Sequence, residues 1–193
     1  CFGSDTPVFT VFALLSRLTG KTLVADNAVA DSLCGELNLR DVPLPEALEA
    51  VLQSARMPRR GFKIRTTDDY IFVYSAAHSL RKNVASKEIS AEGRRLLQEE
   101  CSISLLVYTE EDNKIRSQLG ASRLYKAVSE FSLQLGLPIR IEEDLQHFPV
   151  NPVVMNGVTR ETALKLFINQ WLVPQFEFTM VDDTVVIRRA STR

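Results

Sequence analysis

The residues able to do chemistry are few and scattered. Only two histidines occur, His78 and His147, and neither has a cysteine or a second histidine at metal-ligand spacing. An imidazole works as a base or ligand through neighbours that orient it, so two isolated rings are expected at the surface. Carboxylates gather at Glu99 and Glu100, at Glu110, Glu111 and Asp112, and at Glu142, Glu143 and Asp144. All three groups fall at the ends of predicted elements, where solvated charge is the expectation rather than acid–base catalysis. No phosphate-binding glycine loop, dinucleotide fingerprint, G-x-S-x-G elbow or H-E-x-x-H helix is present. The expectation is a protein that is not an enzyme, with no catalytic residue, no cofactor and no metal.

Two other groups of residues have chemistry of a different kind. Cys34 and Cys101 either pair in an oxidising compartment or stay free and buried, and spacing does not choose between them. Cys1, the first residue, is either a lipid-modified anchor or a boundary of a processed or excerpted chain. Arg56, Arg59, Arg60, Lys63 and Arg65 place five cations within ten residues. They form either a solvated face or the docking site of an acidic partner. The formal net charge is −1, so no global basic field exists to hold nucleic acid or an anionic membrane. No apolar run approaches the ~20 residues that span a bilayer.

The elements that must carry these residues repeat. Val8, Val11, Phe12 and Leu15 recur 116 positions on as Leu124, Ala127, Val128 and Phe131, and Gly20 recurs as Gly136. Leu48, Val51, Leu52 and Ala55 recur as Leu164, Phe167, Ile168 and Trp171, and Phe62 falls on Phe178. The register then slips by two, and Asp68 to Val73 falls on Asp182 to Ile187. In the first copy the spacing predicts helices over 6–19 and from 44 onward, each with one apolar face. Strands are predicted at 22–25, 35–40, 62–67 and 70–75, the last two forming a hairpin at Asp68 and Asp69. The second copy repeats the order, with a strand at 102–109 in front, a helix over 121–135, and strands at 138–141 and 153–156. Thr159 caps its second helix, and a hairpin turns at Asp182 and Asp183. Trp171 continues a helix stripe and belongs to the core. Ser90 caps a short helix carrying Leu96 and Leu97 in the polar stretch between the copies.

The reading is an α+β protein of two tandem (β)αββαββ modules joined by a partly helical linker. Residues 1–79 form the first module, 80–100 the linker and 101–193 the second module. The first strand of module one is missing unless residues 1–3 supply it.

Residues 40–52 and 157–164 of the two copies, with residues 18–24 and 135–141, carry a resemblance. They are similar to the short periplasmic domain shared by secretins and the N-termini of TonB-dependent receptors. The resemblance rests on apolar spacing and turns and covers about three quarters of the chain. It implies a protein–protein interaction module of the bacterial envelope, periplasmic and anchored to or part of an outer-membrane complex. It would serve assembly of a secretion or pilus machine or relay a receptor signal. Its partners would be other envelope proteins or further copies of itself in a ring, with no nucleic acid. No amphipathic series able to build a secretin barrel follows the second copy. Alternative readings are a KH-like nucleic-acid module, against which stands the absence of a G-x-x-G loop, and a small-ligand sensor.

Overall fold

The computed structural model describes residues 3, 5–56, 61–77, 89–106, 108–109, 118–119, 122–171 and 176–190. The protein is mixed α+β. Its first half runs β1 (Thr6–Pro7), α1 (Val8–Thr19), β2 (Thr22–Ala25), α2 (Asn27–Ala30), β3 (Leu33–Cys34), α3 (Leu44–Ser54), β4 (Phe62–Thr66) and β5 (Tyr70–Ser75). The linker helix α4 (Ala91–Leu97) follows, then β6 (Glu100–Leu105) and a short β7–β8 ladder (Tyr108–Thr109 with Gln118–Leu119). The second half runs β9 (Ser122–Arg123), α5 (Leu124–Leu135), β10 (Ile139–Ile141), a 3-10 turn (Glu143–Leu145), β11 (Pro149–Val150), β12 (Val153–Thr159), α6 (Arg160–Ile168), β13 (Phe176–Val181) and β14 (Thr184–Arg189).

The repeat is written into the topology. In each half a central strand pairs parallel with the strand after the first helix and antiparallel with its hairpin partner. The orders are β2–β5–β4 and β10–β14–β13. The small antiparallel pairs β1–β3 and β9–β11 also correspond. Helices α1 and α5 begin 116 residues apart and end at Gly20 and Gly136 with φ of 70° and 71°, the left-handed termination glycine accepts without a Cβ clash. Val8, Val11 and Phe12, and their counterparts Leu124, Ala127 and Val128, face inward because i, i+3, i+4 is one helical stripe.

Two expectations needed correction. Residues 35–40 do not form a strand: only an isolated bridge at Leu37 occurs there. Their counterpart β12 has a ladder because β6 pairs with it, and among the described residues copy one has no such strand to pair with residues 35–40. Secondly, the slip in the repeat lies before the hairpin rather than within it. Phe62 pairs with Ser75 and Phe176 with Arg189, so Phe62 corresponds to Phe176 and Ile64 to Phe178. Both hairpins turn at their Asp–Asp pairs as predicted, with different backbone at the two turns. Asp182 and Asp183 take φ of 46° and 60°, as a mirror-image hairpin turn requires, whereas Asp68 and Asp69 do not have positive φ. The extra strand β6 spans Glu100–Leu105, and the helices begin at Val8 and Leu124, slightly later than predicted.

The halves are joined by a buried seam. One face of sheet β2–β5–β4, carrying Leu23, Ala25 and Val73, packs with α1 and α3 into copy one's own core. The other face, carrying Val24 and Phe72 with Tyr70 and Tyr74 beside them, enters the core of copy two. Against it lies β12, which bulges between Met155 and Val158, with Gly157 at φ 55°. A bulge turns a residue out of its ladder. Here it presents Asn156 to copy one: its N–H donates to Thr22 Oγ1 at 2.8 Å and its Nδ2 donates to the Ser16 carbonyl at 3.0 Å. Asn151 Nδ2 donates to Asn27 Oδ1 and Asp31 Oδ1 at 3.1 and 2.9 Å, and Asn27 N–H donates to the Gln170 carbonyl at 2.7 Å. The two copies meet through different surfaces: a sheet face of the first and the β12 face of the second.

Because the seam is continuous with both cores, urea should unfold the halves in one transition, with coincident fluorescence and circular dichroism midpoints. Asn156→Ala removes the Nδ2 donor to the buried Ser16 carbonyl, which keeps only the Gly20 N–H, and should lower stability by about 0.5–1.5 kcal/mol, measured by the shift of that midpoint.

Candidate partner-binding surface

The cationic stretch of copy one falls on an edge strand. β4 is bonded on one side to β5, and among the described residues no strand pairs with its other edge. All five of its residues are exposed. Antiparallel register alternates the side chains between the two faces. Phe62 and Ile64 lie on the face of Ser75 and Val73, while Lys63 and Arg65 lie on the face of Tyr74 and Phe72. Phe62 is 37% and Ile64 45% exposed, and both are large apolar side chains. An edge strand with open N–H and C=O groups is ordinarily blunted, and lysine or arginine is one means of doing so.

Arg56 follows α3, its side chain 79% exposed, 3.7 Å from Asp5 in a loose ion pair. An exposed pair of this kind contributes little to stability, so Arg56 is not immobilised by it. Its N–H donates to the Leu33 carbonyl at 3.0 Å, fixing the α3 terminus beside β3. Arg56, Lys63 and Arg65 are therefore exposed cations at one end of copy one. Arg59 and Arg60 lie outside the described residues, as do Cys1 and His78.

The remaining candidates fall elsewhere. His147 is exposed before β11, its ring edge-on to Tyr125 with centroids 6.2 Å apart. Among the described residues no group of three or more His, Cys, Asp or Glu is arranged to hold a metal. Asp144 of the third carboxylate cluster pairs with Arg189 at 2.6 Å. Trp171 is buried against Phe167 and Phe176, and its Nε1 donates to the Pro149 carbonyl at 2.8 Å. Cys34 and Cys101 are both free. Burial raises both thiol pKa values, opposed at Cys34 by a hydrogen bond to Ser54 and at Cys101 by the charge of Arg160. No helix among the described residues is long and apolar enough to cross a membrane.

Sequence reasoning found the cations but missed the apolar pair between them. The 116-residue repeat matches Phe62 to a core position, and its alternation with Lys63, Ile64 and Arg65 reads equally well as a half-buried strand. The signal that could have exposed it was Ala55, a small residue where copy two has Trp171. The chain matches no family model, no curated protein and no solved structure.

Two measurements check this surface. Phe178→Ala should cost about 3–5 kcal/mol in chemical denaturation, whereas Ile64→Ala, at the corresponding position, should cost under about 1 kcal/mol. Cys34, 1% exposed and with its thiolate disfavoured, should resist iodoacetamide at pH 8 in the native protein and react once the chain is unfolded in urea, read by mass spectrometry.

Proposed function

We propose that the chain is a non-enzymatic docking module of the bacterial envelope, resembling the periplasmic domains of secretins and TonB-dependent receptors, and that it binds an acidic protein partner through the β4 edge of copy one. The observation that carries the reading is the exposure of all five β4 residues in an otherwise packed sheet. Apolar and cationic side chains alternate along it, so area burial and charge complementarity are available to one partner. Large exposed apolar groups rimmed by polar ones mark interaction sites more often than isolated ones do. The cations supply orientation and encounter rate, and the apolar pair supplies the surface removed from water. The repeat itself favours this class, since its matched positions are core and turn residues that build a scaffold rather than a reaction centre.

The test uses the whole chain in a bacterial envelope extract, with a photocrosslinker placed at Thr66. Capture of a discrete envelope protein, weakening about tenfold or more when Lys63→Glu and Arg65→Glu are combined and weakening also as salt rises, is the expected result. Equal capture by the charge-reversed chain at low and high salt would remove the docking reading.

A further inference from the structure

The pivot of the seam is a chemically labile dipeptide. Asn156–Gly157 is the one Asn–Gly pair in the chain. In such a pair the glycine amide nitrogen, unhindered by a side chain, attacks the asparagine side-chain carbonyl carbon and closes a cyclic imide. The fold holds both reacting groups back. Asn156 Nδ2 donates to the Ser16 carbonyl at 3.0 Å, and the Asn156 N–H and carbonyl meet Thr22 Oγ1 at 2.8 and 3.4 Å. The Gly157 N–H, which must lose its proton for the nitrogen to attack, donates to the Ser102 hydroxyl at 3.1 Å. Gly157 is itself exposed, so water reaches this peptide. The backbone alone does not demand glycine here. Its copy-one counterpart, Asp41, takes φ of 54° beside the 55° of Gly157, and Arg40 stands where copy two has Asn156. Short polar residues such as aspartate tolerate that left-handed region. The labile pair thus belongs only to the copy whose bulge makes the seam.

We infer that Asn156 is a site of spontaneous deamidation, held off while the seam is closed, whose product cannot rebuild the seam. When the halves part, Asn156 loses Ser16 and Thr22 together, and only the exposed Ser102 hydroxyl still holds the Gly157 N–H. The Gly157 nitrogen then bonds to Asn156 Cγ. The Cγ–Nδ2 bond breaks, the proton from the Gly157 nitrogen ends on the departing amine, and ammonia leaves. One water opens the imide at either carbonyl, giving aspartate or isoaspartate. No oxidant or other reactant is consumed. The product carries a carboxylate where the amide donor stood. It cannot donate to the Ser16 carbonyl, and its negative charge faces that oxygen, so a hydrogen bond becomes a repulsion. Isoaspartate also lengthens the main chain within the bulge that aims this residue at Thr22. A prolonged opening of the halves is thereby made permanent. None of these residues lies on β4, so the inference is independent of the docking reading.

The test incubates the full chain in mildly alkaline buffer and reads the Asn156 peptide by mass spectrometry, with enzymatic isoaspartate labelling as a second readout. The native chain should deamidate there at least about tenfold more slowly than the same chain unfolded in urea, because reaction waits on local opening. Asn156→Gln should remove the signal and so locate it. Thr22→Val, which takes away a seam hydroxyl, should raise the native rate several-fold, and Ser102→Ala, at an exposed position, should raise it further. Leu48→Ala, in copy one's own core, should leave the rate unchanged in the absence of urea. Asn156→Asp should lower the urea midpoint more than Asn156→Ala does, since it adds a charge as well as removing a donor. Equal rates in the native and unfolded chain overturn the inference. So does a native rate that neither Thr22→Val nor Ser102→Ala changes, or one that Leu48→Ala raises as much as Thr22→Val. An Asn156→Asp chain as stable as the parent refutes the permanent opening.

Discussion

Everything about the arrangement of the halves depends on one bulge. β12 would otherwise spend all its backbone groups on β6, and its outer face would be an ordinary strand surface. The break between Met155 and Val158 frees Asn156 to meet Thr22 and Ser16 of copy one. The Thr22 hydroxyl stands in for a ladder partner, and the Asn156 amide satisfies a carbonyl at the end of α1. The left-handed φ of Gly157 permits the turn-out, and its N–H is satisfied by the Ser102 hydroxyl at 3.1 Å. Around this contact the seam stays polar: Asn151, Gln170, Asn27 and Asp31 bond one another while Val24 and Phe72 supply the apolar burial. Such amides carry directional information that a purely apolar joint lacks, because a shifted register would leave buried groups unpaired.

The seam explains why the sheets of the two copies have different fates. Sheet β2–β5–β4 is sandwiched, with its own helices on one side and copy two on the other, yet its last strand projects beyond both covers. Sheet β10–β14–β13 has the linker helix added to its helical side. In place of a covering module, its outer face holds the Glu177–Arg188 ion pair at 2.9 Å, directly across the hairpin register. One scaffold is thus used once as a platform and once as a closed core, and only the platform keeps an open apolar strand.

Much of the scaffold was legible in the sequence. The stripes of α1, α3, α5 and α6, the glycine stops and the Thr159 and Ser90 caps were set by local chemistry, and the Thr159 and Ser90 side chains accept from Thr162 and Gly93 N–H. The misplaced slip has a physical reason. A shift of two residues preserves strand alternation, so Phe62 faces the same side whether matched to Phe176 or Phe178. The pattern at 35–40 has strand periodicity, but a ladder needs a second strand, which periodicity cannot supply. The seam was invisible because Asn151, Asn156 and Gln170 are polar amides, a residue type mostly found exposed, and nothing in their spacing marks them as buried. The open edge strand was hidden for the opposite reason: Phe62 and Ile64 look like core.

The seam joins unlike surfaces, and such a joint can in principle be repeated without end. Here the residues stop it. The face that receives copy two presents Thr22, Val24, Tyr70, Phe72 and Tyr74, and the corresponding face of copy two presents Pro138, Arg140, Thr184, Val186 and Arg188. Seating a further β12 there would bury two guanidinium groups and forfeit the Thr22 hydroxyl. Arg188 would carry its Glu177 partner with it, but Arg140 has no ion pair with a described residue, and burying an unpaired charge is costly. The face that accepts β12 in copy one is thus chemically unsuited to accept a second β12 in copy two.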